Sequence, residues 1–275
     1  GLVSVTGSAS ATTLDLKFGA GGNTITMGAA NDTVSIADLN GDDVDGAGGT
    51  DSLTATINDA AVTEASQNFE TVTYNIANNT QTTVTGADGL GIDGAKTFTL
   101  TGGDALTTYA HDLVSPAVLT SYDMSGYTGK STAITVAATA RDLSAVDITG
   151  SAGTDTVTVT TNNNNFLVKS MTGVETLAIN AAGGATAFDF SKTTGITTVK
   201  TDDDGTARDV TLTDLGDGVT VEITTGVTAS GVIVDMLNKA NAGNTLSLNV
   251  KTVNAGTDVI DIDVDEVEET TIYID

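Results

Sequence analysis

The chain has 275 residues, with 36 acidic against 10 basic side chains, a formal charge of −26, 39% hydrophobic content, no cysteine and no tryptophan. A phosphate-binding surface needs clustered Lys and Arg, so nucleic acid is all but excluded as a partner, and an anionic membrane is repelled for the same reason. Disulfides and thiolate chemistry are excluded outright, and no stretch approaches the roughly 18 consecutive apolar residues of a membrane span.

The apolar residues are mostly Val, Ile, Leu and Ala, with 4% aromatics, 31 glycines and one proline. That composition suits a narrow β core with backbone donors free for sheet ladders. The opening GLVSV has neither an initiator Met nor a charged leader, and reads as an excised or processed piece. From Thr24 onward come short runs of period two: TITMG, DTVSI, DSLTATI, ETVTYNI, KTFTL, TAITVAA, DTVTVTT, ETLAIN, ITTVK, DVTLTDL, VTVEITT, TLSLNV and DVIDIDV. Thr and β-branched residues alternating between Gly, Asn and Asp turns predict short strands. Two segments predict helix, NDAAVTEASQ from Asn58 and IVDMLNKANA from Ile233. The expected fold is all-β, an arrangement of β-solenoid or β-sandwich-like repeats with at most two short helices.

A longer echo overlies these strands. GTDSLTATI, GTDTVTVTT and GTDVIDIDV place Asp51, Asp155 and Asp258 104 and then 103 residues apart, and FETVTYNI, GVETLAIN and EETTIYI follow in the same order. The chain therefore divides into an irregular β segment over 1–45, repeats over 46–149 and 150–253, and over 254–275 the start of a third repeat or a terminal assembly strand.

Acidic residues stand at the strand starts. Asp32, Asp51 and Glu70 follow one another at intervals of 19, and Asp155 and Glu175 are 20 apart. Each has an apolar residue two positions on: Val34, Leu53, Val72, Val157, Leu177 and, after Asp258, Ile260. Side chains alternate faces along a strand, so these acids share the parity of the core. In a solenoid with a coil of about 19 residues they would stack roughly 4.8 Å apart. Carboxylates that close repel unless they are protonated, hydrogen-bonded or bridged by a cation. Calcium, which accepts carboxylate and carbonyl oxygens in flexible geometry, is one solution, and satisfaction of turn amides is the other. Asp42, Asp43 and Asp45 in NGDDVDG add three more carboxylates, at a spacing that does not match an EF-hand.

GAGGTDSLT from Gly46 and GSAGTDTVT from Gly150 resemble the glycine-rich calcium nonapeptide G-G-x-G-x-D-x-U-x, as does GGNTITMGAANDTVSI from Gly21. The pairing of a GTD strand with a following VET strand is similar to repeat-toxin-like bacterial surface-layer proteins. The resemblance implies a secreted, calcium-stabilised β protein that assembles with copies of itself as a lattice or filament on the cell exterior. A cell-surface polysaccharide is a further partner it allows. Together with the spacing of the acids, it makes Asp32, Asp42, Asp43, Asp45, Asp51, Glu70, Asp155, Glu175 and Asp258 the candidate metal ligands. The alternative is a calcium-stiffened repeat region of a large secreted adhesin that binds a receptor or glycan.

Enzymatic machinery is not expected. A Ser-His-Asp triad would depend on the single histidine, His111, in TYAHDLVSP with no nucleophile motif beside it. Zinc sites need several His or Cys. The aromatics are few and dispersed along the sequence, and Lys130, Arg141 and Arg208 are too scattered for a lyase centre.

Overall fold

A computed structural model describes residues 4–7, 9–16, 22–39, 41–58, 61–62, 66–77, 83–86, 94–103, 108–113, 118–136, 143–161, 168–181, 186–203, 210–225, 230–236, 245–252, 260–265 and 269–274. Among the described residues every regular element is a strand and none is a helix. The described pairings are parallel and join strands that lie one coil apart, as in a β-solenoid. Sandwich hairpins would pair antiparallel, so the solenoid is the arrangement this chain takes. Two compact units are present, Gly1–Ile134 with Val146–Thr154, and Thr135–Ala145 with Asp155–Asp275.

In the first unit, Thr13–Leu16, Thr33–Ile36, Ser52–Ile57, Thr71–Ile76, Thr97–Gly102 and Ser121–Tyr127 lie side by side in chain order. Thr33 faces Ser52 and Ser52 faces Thr71, a coil of 19 residues each time. Thr71 faces Thr97 and Thr97 faces Ser121, so the next coils take 26 and 24. A second sheet runs through Ser4–Thr6, Thr24–Thr26, Asp43–Asp45 and Ser66–Gln67, and further strands at Ala61–Val62, Thr83–Gly86 and Thr108–Leu113 pair in sequence.

Parallel register turns the period-two pattern into columns. Val34, Leu53, Val72, Phe98 and Tyr122 are consecutive partners and all are buried. Burial of side chains of this size contributes about 1.5–3 kcal/mol each. The aromatics that look dispersed in sequence meet here. Phe98 stacks on Tyr122 with centroids 4.7 Å apart and meets Tyr74 edge-on at 5.4 Å, while Tyr109 lies 6.4 Å from Tyr127. His111 is sealed among them, its Nδ1 2.7 Å from Tyr122 Oη.

In the second unit, Thr154–Thr161, Thr176–Ala181, Thr198–Asp203, Thr220–Thr225, Thr245–Thr252 and Glu269–Ile274 pair in chain order. Their buried column is Val157, Leu177, Val199, Val221 and Leu248. Thr186–Asp189, Val210–Leu215, Ser230–Met236 and Ile260–Asp265 form another sheet. Lys200 and Glu222, directly opposite one another, make an ion pair of 3.3 Å.

The described parts of the segments expected as helices from Asn58 and Ile233 hold no helix, and apart from Asn58 they are strand. Ala61–Val62 pairs with Thr83–Gly86, Ser66–Gln67 pairs with Asp43–Asp45, and Ile233 lies between Thr211 and Asp263. Pairing on a stacked coil overrides the helix propensity of Ala61 and Met236. Asp51 leads into Ser52–Ile57, whereas Asp155 lies in Thr154–Thr161, a strand of a different sheet.

Candidate metal centre

Asp32, Asp51 and Glu70 each stand immediately before a strand of the first sheet, and the register of those strands stacks them in one column. Asp32 and Asp51 are buried and Glu70 is half-buried. The column is held by a one-way rule. Thr12 N donates to Asp32 Oδ1 at 2.6 Å, Asp32 N to Asp51 Oδ1 at 2.7 Å, and Asp51 N to Glu70 Oε2 at 2.7 Å. Each carboxylate thus accepts from the amide one coil earlier, and backbone bonds such as Ser52 N to Asp32 O at 2.9 Å accompany it. The second unit repeats the device, with Asp155 N donating to Glu175 Oε2 at 2.8 Å.

These acids therefore do the amide-satisfying work weighed from the sequence, across coils rather than within one turn. An exception is Gly28 N, which donates to Asp32 Oδ2 within the same turn at 3.2 Å. The columns then change character. Lys96 N bonds Glu70 O at 2.8 Å and Thr120 N bonds Lys96 O at 2.8 Å, so a lysine and a threonine continue the first column. Thr197 continues the second, its hydroxyl donating to Glu175 O at 3.2 Å. A fixed interval of 19 cannot find these residues, because the coils they close are longer.

Asp42 occupies the corresponding place in the second sheet of the first unit, accepting from Asn23 N at 2.8 Å and Asn23 Nδ2 at 2.7 Å. Asp43 is exposed, and Asp45 Oδ1 accepts from Ala47 N at 2.8 Å and Asn68 Nδ2 at 2.7 Å. The three acids of NGDDVDG thus split, Asp42 inward and the other two outward. Asp258 lies outside the described residues. Among the described residues no group of three His, Cys, Asp or Glu side chains converges on one point.

Two oxygens remain. Asp42 Oδ2 and Asp51 Oδ2 are buried and accept no hydrogen bond, in side chains only 0% and 1% exposed. Burial holds the Asp51 carboxyl above its ordinary value; the Asp32 amide opposes this, and the charges of Asp32, Glu70 and Asp45 add to it. A buried carboxylate oxygen without a donor is satisfied by a proton or by a hard cation. Gly46 lets the Asn68 carbonyl pack directly against the backbone beside this carboxylate, since a methyl there would collide with that carbonyl and lie 3.0 Å from Asp51 Oδ2.

Removing the acceptor and removing the charge are expected to act in opposite directions. In chelator, Asp51→Ala leaves the Asp32 amide unpaired and costs about 1–3 kcal/mol, whereas Asp51→Asn keeps an acceptor and relieves the repulsion. Urea midpoints should rank Ala lowest and Asn at or above wild type. An Asn variant as weak as the Ala variant would mean that the amide requires the charge itself. No family model, curated protein or solved structure matches this chain.

Proposed function

We propose that the chain is a structural segment that assembles with copies of itself on the bacterial cell exterior, as a calcium-stabilised surface layer or related extracellular polymer. The observation that carries this reading is the buried, unpartnered Asp51 Oδ2 inside a column of acids, in a chain of charge −26. Self-repulsion of that size opposes compaction until cations neutralise part of it. Asp51 keeps Oδ1 on the Asp32 amide, which leaves Oδ2 as the oxygen an ion would take. Asp42 is arranged alike, with Oδ1 on Asn23 and Oδ2 spare. A bound divalent ion would cancel the repulsion among Asp32, Asp45, Asp51 and Glu70 and make the stack of coils stiff enough to pack against copies of itself.

The test is calcium titration of the purified chain, with particle size followed by light scattering and binding by calorimetry, for wild type, Asp51→Asn and Asp42→Asn. Heat of binding and calcium-dependent growth, both reduced in the variants and reversed by chelator, are expected. Constant size and no heat at any calcium concentration would remove the proposal and leave the column as amide caps alone.

A further inference from the structure

The chain has five tyrosines and one histidine in 275 residues, and four of those tyrosines share a single core cluster with the histidine. Tyr109 and His111 enter it from Thr108–Leu113, Tyr122 and Tyr127 from Ser121–Tyr127, and Tyr74 from Thr71–Ile76, all buried. Filling a wide coil asks only for volume, which Leu or Phe supplies. Phenols and an imidazole each carry into the core a polar group that has to be satisfied there. Tyr122 Oη and His111 Nδ1 meet at 2.7 Å, close enough for direct proton transfer. Tyr109 Oη is buried with no hydrogen-bond partner.

Burial sets the protonation states of the pair. It lowers the His111 pKa to about 4, so the ring is neutral at pH 7 and, with its proton on Nε2, accepts at Nδ1. It raises the Tyr122 phenol well above the ordinary value, so no phenolate is present to be oxidised. An electron can then leave Tyr122 only together with the phenol proton. His111 is placed to take that proton, because a phenol radical cation is a far stronger acid than an imidazolium, even one weakened as a base by burial. Tyr109, with no partner on its oxygen, has no such outlet. The rings between them form short steps for an electron vacancy: 6.4 Å from Tyr127 to Tyr109, 5.8 Å from Tyr109 to His111, and 4.7 Å from Phe98 to Tyr122. With no tryptophan or cysteine in the chain, tyrosine is its most readily oxidised aromatic.

We propose that Tyr122 and His111 form a proton-coupled radical trap. A one-electron oxidant acting at the surface takes up the electron, the O–H bond of Tyr122 breaks, the proton joins His111 Nδ1, and a neutral tyrosyl radical remains on Tyr122. Both partners are sealed from solvent, and when an electron returns the proton moves back along the same hydrogen bond. The trap needs neither calcium nor assembly and uses none of the acids of the column.

Flash photolysis of the full chain, with photo-oxidised tris(bipyridine)ruthenium as the oxidant, reads the trap by transient absorption and by electron paramagnetic resonance of freeze-quenched samples. The folded chain should give a neutral tyrosyl radical that outlives the one formed in the same chain unfolded in urea. Its formation should slow after exchange into deuterium oxide. His111→Gln retains an acceptor but no base, and should slow radical formation about a hundredfold or more. Tyr122→Phe should abolish the long-lived radical, with circular dichroism checking that each variant is folded. The comparison of folded with unfolded wild type requires no variant. Equal lifetimes in those two states, a rate indifferent to deuterium, or an unchanged rate in folded His111→Gln would each overturn the proposal.

Discussion

Between pH 7 and pH 4 the first unit is expected to lose about 3 kcal/mol of stability through a single side chain, His111. Burial lowers its pKa from 6.5 to about 4. The ring is packed against Phe98 at 5.5 Å and Tyr109 and Tyr122 at 5.8 Å, aromatic neighbours that offer an imidazolium no counter-charge. Below pH 6.5 the unfolded chain takes up the proton, while the native ring resists until about pH 4. The unfolded state therefore binds more protons across that window, stability falls as pH falls, and the loss levels off below the native value. Asp51 works in the opposite direction, because a carboxyl held above its ordinary value takes its proton first in the native state, so acidification favours folding there. Urea midpoints measured against pH for wild type and His111→Gln separate the two. The Gln variant should lose the acid-side decline and expose the contribution of Asp51. A decline of the same size in both proteins would rule out His111 as its source.

Phe98→Ala is expected to destabilise the first unit by about 3–5 kcal/mol. Phe98 is fully buried, sits between Val72 and Tyr122 in the core column, and touches Tyr74, Tyr122 and His111. Truncation removes the transfer energy of the ring and leaves a void that stacked strands, locked in register on both sides, cannot close. Phe98→Leu should cost much less, since it retains most of the volume. The two sites are in contact, so their effects should not add. In Phe98→Ala the void admits water to His111, and the acid decline should shrink. Chemical denaturation of the single and double variants at pH 7 and pH 5 measures that coupling. A drop below about 1 kcal/mol for Phe98→Ala would mean the aromatic cluster is not close-packed.

The strands were legible because Thr and Val alternate at period two, a pattern that survives any context with one buried face. Parallel stacking was legible only where the coil is short, from the interval of 19 shared by Asp32, Asp51 and Glu70. Once the coil lengthens to 24 or 26 residues, no fixed interval connects Glu70 with Lys96 or Tyr74 with Phe98, and the aromatic cluster reads as scattered. The role of the acids stayed undecided because their partners are backbone amides, which every residue but proline carries and which leave no mark in composition. Asn58 and Ile233 misled for a related reason, since a short apolar run with Ala and Met fits either period.

The carboxylate column and the main-chain bonds beside it run in opposite senses and tie each coil to its neighbour twice. Every buried amide in the column waits for an oxygen supplied by the coil that follows in sequence. A chain delivered amino end first lays down each coil with its amide unmet until the successor arrives. Delivered carboxyl end first, the same chain finds Glu70 waiting for Asp51 and Asp51 waiting for Asp32, while the Ser52 and Thr71 amides wait for the Asp32 and Asp51 carbonyls, so in either order a coil is completed only by its neighbour.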